Sequence, residues 1–146
     1  MDKISGEGSE ASDNIAELRA RAEVEPIASF LGLSLLEMTP GYAKVAMKML
    51  PEYKNFQGLI FGGIVMAVAD YAFAYSGNSL VFPSVASQFN MHLIAAPQVG
   101  DELIAECWVV KGGRRVVIVE MTVTNQEGKL VAKGTATGIP VNKVNR

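Results

Sequence analysis

Apolar residues recur with three different periods in this chain, and each period predicts a different element. Between Ile15 and Val24, the residues Ile15, Leu18 and Ala22, with Val24 at the edge, fall on one helical face. Asp13 or Asn14 is placed to cap that helix, which should run to about Glu25 before Pro26 disturbs it. Ile27 to Leu31 can add one more turn, and Gly32 stops it. From Gly32 the period changes to two. Leu33 to Met38 reads as a strand, and Thr39-Pro40-Gly41 as a turn. Tyr42 to Met49 sets Tyr42, Lys44, Ala46 and Lys48 against Ala43, Val45, Met47 and Met49, one wet face and one buried face. Pro51 ends this strand, and Glu52 to Ile60 is an irregular loop.

The third pattern is an unbroken apolar run. Gly62 to about Ser79 has helix length and is apolar almost all round, which predicts burial on every side. Beyond it the two-residue period returns. A strand starts near Ser84, with Ser87, Phe89, Met91 and Leu93 expected toward the core and Gln88, Asn90 and His92 opposite. Leu103 to Lys111 and Arg114 to Thr124 are strands joined by a Gly112-Gly113 hairpin turn. Val117, Val119, Met121 and Val123 form the inward set of the second. Lys129 to Ile139 closes the sheet. The order is helix, two strands, one long helix, four strands. This is an α+β class, with about six mostly hairpin-joined strands wrapped as an antiparallel sheet round one central helix. Residues 1–13 are polar and read as a flexible tail, 14–140 as one domain, and 141–146 as a short C-terminal tail.

Composition narrows the function. The 146 residues suit one domain with a real core. Hydrophobic residues make up 49% and charged residues 19%, a tilt that predicts an apolar surface shared between subunits. A net charge of −2 without a basic run argues against a nucleic-acid surface. The longest apolar stretch, Leu59 to Ala69, is ended by Asp70 well short of a membrane span. One cysteine, Cys107, allows no internal disulfide and fits a cytoplasmic protein. With one histidine and one cysteine no usual zinc site is readable, and no cofactor is called for.

The candidate chemistry sits in the central helix. Asp70 is a carboxylate among Val68, Ala69, Tyr71 and Ala72, where desolvation raises its pKa. Gly62 and Gly63 open the helix and let a ligand approach first-turn amides that carry unpaired donors. A helix N-terminus that polarises a carbonyl, with a carboxylate two turns on, suits acyl transfer. Two turns is about 11–12 Å, so a second chain could supply one of the two groups. The plainer reading stands beside it. Asp70 could bond a serine or an amide in the core, and the glycines could mark a tight crossing.

Asn55-Phe56-Gln57-Gly58, then Phe61-Gly62-Gly63, then Asp70 with Ala72 and Ala74, resembles the signature of hotdog-fold thioesterases of the phenylacetate-degradation (PaaI-like) type. Their usual pattern is N-x-x-G-x-x-H-G-G with Asp seven residues later. Asn78-Ser79, Asn90, Ala96-Pro97 and Gly100-Asp101 fit as well, and the resemblance extends from about Leu31 to Ile139. It implies a sheet wrapped round the helix, a dimer or a dimer of dimers, and active sites at the subunit interface. It also implies hydrolysis of an aryl-acetyl or medium-chain acyl-CoA to free acid and CoA.

By that resemblance Asp70 is the general base or the nucleophile, and the Gly62 or Gly63 amide stabilises the oxyanion. Asn55 orients water or binds near the carbonyl. Phe61 stands where histidine is usual, and a helpful strand serine of some relatives falls at Ala86. Phe56 and Phe61 flank the implied site as acyl-pocket candidates. Arg114 and Arg115 are candidate clamps for CoA phosphates, or simply a solvated hairpin end. Tyr71, Phe73 and Tyr75 read as core, His92 as an ordinary exposed or interface residue, and Cys107 as a buried structural thiol. The alternative function is a non-catalytic acyl-CoA-binding protein on the same fold, which the Phe61 replacement favours. A dehydratase would need a histidine near the acyl chain, and the position that could supply it holds Phe61.

Overall fold

A computed structural model describes the backbone of residues 4–142, with side chains from Asp13 onward. The elements run α1 (Ile4–Glu23), α2 (Pro26–Leu31), β1 (Leu33–Thr39), β2 (Tyr42–Lys48), α3 (Gly62–Leu80), β3 (Ser84–Leu93), β4 (Glu102–Gly112), β5 (Val117–Thr124) and β6 (Leu130–Pro140). The six strands form one antiparallel sheet in the order β1-β2-β4-β5-β6-β3. The sheet curls round α3, which packs chiefly on β4, β2 and β5. No helix among the described residues is long and apolar enough to cross a membrane.

Strand alternation sets the core. Ala43, Val45, Met47 and Met49 are buried from β2 and its exit, and Val117, Val119, Met121 and Val123 from β5. They meet Val68, Ala72 and Tyr75 of α3 in one cluster. Each fully buried side chain of this size is worth about 1.5–3 kcal/mol of transfer free energy. The Cys107 thiol lies in the same core and accepts a hydrogen bond from Ser76 Oγ at 2.9 Å. Burial pushes it up to about 12.

Three expectations are corrected. Helix α1 begins at Ile4, so Asp13 and Asn14 lie within it and cap nothing. Of its expected inward face, Leu18 is buried while Val24 is 79% exposed, because the chain turns there toward α2. In β3 a bulge between Ala86 and Gln88 shifts the phase. Phe89 and Met91 stay half-buried, but Ser87 is exposed and bonds the Thr137 carbonyl, and Leu93 is exposed as well. Of the two expected tails, residues 1–3 and 143–146 lie outside the described residues.

Candidate active site

A further correction concerns α3. It is not buried on every side: Met66, Asp70 and Ala74, spaced four apart, form an open stripe on the single protomer. Asp70 is therefore not a core carboxylate. No hydrogen bond or ion pair reaches it among the described residues, so the core-network alternative is not what the structure holds. The stripe faces β3. A hollow of about 360 Å³ lies between Gly63, Met66, Ala67 and Asp70 on α3 and Ala86 and Phe89 on β3. Solvent reaches Asp70 along the open side, while the two apolar elements withdraw it from water on the other. The balance pushes its carboxyl above the ordinary carboxylate range.

The start of α3 is built by the preceding loop. A turn at Pro51–Tyr53 leads into a small closed loop, bridged antiparallel between Lys54 and Ile60. Asn55 holds it together. Its Oδ1 accepts from the Gln57 amide at 2.9 Å and the Leu59 amide at 3.2 Å. Its own amide donates to the Leu59 carbonyl at 2.7 Å. Gly58 takes the left-handed turn this closure needs, at φ 77°. The Phe61 amide then donates to the Tyr53 carbonyl at 2.8 Å, fixing the approach to the helix.

Phe61 occupies the N-cap position of α3 and offers no side-chain cap. The usual capping residues would tie down a first-turn amide with a side-chain oxygen; Phe61 has none, and its carbonyl accepts from the Ile64 amide at 2.9 Å. Its ring lies against Gly63 so closely that a Cβ there would stand 2.5 Å from the ring edge. On the other side a Cβ at Gly62 would stand 2.8 Å from Leu93. Both neighbours are exposed side chains that can swing aside, so a side chain at either glycine would be met by the Phe61 ring or by Leu93 rather than by fixed backbone. Asp70 lies eight residues from Gly62, about 12 Å along the axis.

The remaining sequence candidates divide. Ala86 lines the hollow with Asp70. Ser87 lies off that wall, on the exposed side of the bulge. Phe56 is 96% exposed at the loop tip and lines nothing in the protomer. Arg114 and Arg115 are exposed at the β4–β5 hairpin, whose Gly112 packs near Leu80. They are therefore at the far end of α3 from Gly62, and one protomer does not bring them to the same site. His92 is exposed in β3 opposite Lys133.

Asn78 was singled out only as a fitting residue, and the structure gives it a larger part. Its Oδ1 accepts from the Ser84 amide at 2.7 Å, and its Nδ2 donates to the Ala74 carbonyl at 2.7 Å. It thereby staples the end of α3 to the start of β3. A polar hollow of about 300 Å³ between Ala95–Gln98 and Asn125–Val131 lies away from Asp70. Its main groups bond one another: Asp101 accepts from the Gln98 amide and Gln126 Nε2. Among the described residues no cluster of three or more metal-ligating side chains occurs.

The sequence profile of the thioesterase superfamily matches residues 57–132. The acyl-coenzyme A thioesterase PaaI of Escherichia coli is 31% identical over 113 residues, which is 77% of this chain and 81% of that protein. The structure of the E. coli PaaI protein superposes with a TM-score of 0.85 at 27% identity, covering 92% of this chain and 98% of the other. A Streptococcus mutans protein solved bound to acetyl CoA superposes with a TM-score of 0.73 at 26% identity, covering 77% and 91%. The open carboxylate, the uncapped glycine helix start and these likenesses converge: the chain belongs to the thioesterase superfamily, as a PaaI-like hotdog-fold thioester hydrolase.

Proposed function

We propose that the protein hydrolyses an acyl-CoA, with an aryl-acetyl or medium-chain acyl group, to the free acid and CoA. The observation that carries this reading is the Asp70 carboxylate, raised in pKa and unengaged by its neighbours among the described residues, on the wall of an apolar hollow that begins at Gly63. In the reaction, water adds to the thioester carbonyl as Asp70 takes its proton. The carbon–sulfur bond then breaks, and the departing thiolate receives that proton. Alternatively Asp70 attacks the carbonyl itself, expels the thiolate, and the mixed anhydride is hydrolysed. In either course an amide of Gly62 or Gly63 holds the developing oxyanion.

The 12 Å between Asp70 and that helix start supports a site shared by two subunits. The exposed apolar residues Phe61, Met66, Val85 and Leu93 and the open edge of β3 support a homodimer through this face. Such a pairing brings Asp70 of one protomer to the Asn55 loop and glycine turn of its partner. Asn55 Oδ1 is already used within its loop, so its Nδ2 is the end available to water or carbonyl. Phe61 and Phe56 then wall the acyl entrance, and Arg114 and Arg115 meet the CoA phosphates from the partner's side.

Free-thiol release from a panel of acyl-CoAs by wild type and Asp70→Ala tests the reading, after both variants are shown to assemble alike. Turnover by wild type with a loss of about 10²–10⁴ in kcat for the variant is expected. A single turnover in ¹⁸O-water tests for the anhydride: label in Asp70 selects that route with water attacking the aspartyl carbonyl, and trapping of the acylated aspartate with hydroxylamine detects the anhydride when the label goes to the product acid. The Phe61 ring lying on Gly63 favours a second reading, an acyl-CoA-binding protein without turnover. Binding without thiol release selects it.

A further inference from the structure

The hollow at Asp70 does not end there. It shares Asp70 and Ala86 with a second hollow of about 230 Å³ that continues along α3 past Ala74 and Gly77. That one shares Ala74 and Asn78 with a third, of about 390 Å³, which lies between α3 and the end of α1. The three form a line along the open stripe of α3. Its floor is made of small residues: Ala67, Ala74 and Gly77 on the helix, and Gly138 opposite, where a Cβ would stand 3.1 Å from Phe73.

The third hollow is walled by Leu18, Val24, Pro26 and Phe82. Its polar groups are engaged with one another. Tyr75 donates its hydroxyl proton to Glu25, Arg21 is paired with Glu17, and the Arg21 guanidinium lies 5.5 Å from the Phe82 ring centroid. Asn78 is taken up by its staple between helix and strand. What remains toward the cavity is mostly hydrocarbon. Asp70 to Asn78 spans eight residues, about 12 Å, the reach of roughly nine or ten carbons of an extended chain at about 1.25 Å each.

We infer that the hollow beneath α1 is a distal acyl subsite, which takes the far end of straight-chain acyl groups too long for the hollows beside Asp70. This rests on the thioesterase reading of Asp70. An arylacetyl group ends before the neck formed by Ala74 and Asn78. A chain of about ten carbons passes Ala74 and reaches Asn78, where its end enters the hollow walled by Val24 and Phe82. The α1–α2 junction therefore sets the upper length of substrate, although it lies far from the reacting bond.

Two substitutions test this from opposite walls. Ala74→Leu narrows the neck, and Val24→Trp fills the subsite from an exposed position on the far side. The measurement is kcat/KM for decanoyl-CoA relative to phenylacetyl-CoA, with wild-type circular dichroism and oligomer size required of each variant. Losing the burial of two methylenes corresponds to roughly a tenfold fall in that ratio, appearing in KM rather than kcat. An unchanged ratio in Val24→Trp overturns the subsite. Should wild type release no thiol from any substrate, the catalytic reading fails on its own. Calorimetric titration with the same two acyl-CoAs then decides the subsite: a decanoyl preference lost in Val24→Trp supports it, and equal affinities refute it.

Discussion

Substituting Gly134 by alanine adds one methyl group at the tightest approach in the sheet. Gly134 lies in β6 opposite Met91 of β3 on one side and Met121 of β5 on the other. A Cβ there would stand 2.5 Å from Met91 Sδ, 3.0 Å from the Asn90 carbonyl carbon, and closer still to the Asn90 oxygen. The methionine can swing away. The carbonyl cannot, because the β3–β6 ladder fixes it. The strands must part locally, at about 1–3 kcal/mol for overpacking and about 0.5–1.5 kcal/mol for each weakened ladder bond. Restricting the unfolded chain returns about 0.4–1 kcal/mol. With two ladder bonds weakened the net loss is about 1–5 kcal/mol, or roughly 3–20 °C in Tm. Urea unfolding followed by Trp108 fluorescence, at one fixed protomer concentration and with m values compared, measures it. Gly113→Ala is the control, since its Cβ would meet nothing nearer than the Val116 carbonyl at 3.7 Å. If Gly134→Ala unfolds within about 0.5 kcal/mol of wild type, the close approach of β3 and β6 is wrong. Because Ala86 and Phe89 ride on β3, the same variant should also lose activity.

Three further outcomes are expected. Asp70 must be ionised to act, so kcat/KM should fall on acidification with a midpoint above the ordinary aspartate value of about 3.9. A folded-state pKa raised above the unfolded one means stability present in acid and lost as pH rises through the folded pKa. Asp70→Asn should therefore melt higher than wild type at pH 7, with the difference vanishing near pH 3; a lower melting point at pH 7 contradicts the desolvation. Asn55→Asp keeps the oxygen that accepts from Gln57 and Leu59 and should match wild type in stability while losing activity. Asn55→Ala should lose both; full activity in Asn55→Asp would reduce Asn55 to a loop residue. Cys107 should resist thiol reagents in the native protein and react in full only on unfolding, because its proton is held by burial.

Much of the fold could be read from local pattern. The alternations Ala43–Met49 and Val117–Val123 named their buried faces correctly, because a strand half in water writes its burial into every second residue, although Ala46, expected on the wet face, is buried as well. Helix α3 misled for a physical reason. Hydropathy cannot separate an apolar position that faces the core from one left open on the protomer, and Met66 and Ala74 are of the second kind. The phase of β3 failed at Ser87, where one bulged residue inverts everything on one side of it. The sheet order rests on contacts far apart in sequence, such as β3 with β6, and no local signal carries it. At the site, the Asn55, Gly62, Gly63 and Asp70 spacing pointed to the family that the comparisons show, whereas the roles proposed for Ala74 and Val24 depend on a cavity that only the folded chain reveals.

Asn78 makes the join between α3 and β3 depend on one side-chain amide. Its amide nitrogen points at the Ala74 carbonyl oxygen, and more weakly at that of Ser84. Slow hydrolysis of the amide would replace that nitrogen with a carboxylate oxygen and turn both attractions into repulsions at once. The neck beside Ala74 would spread, and the join between α3 and β3 would loosen. An Asn78→Asp variant makes that exchange directly, and it would show first as a change in how long and short acyl groups are sorted.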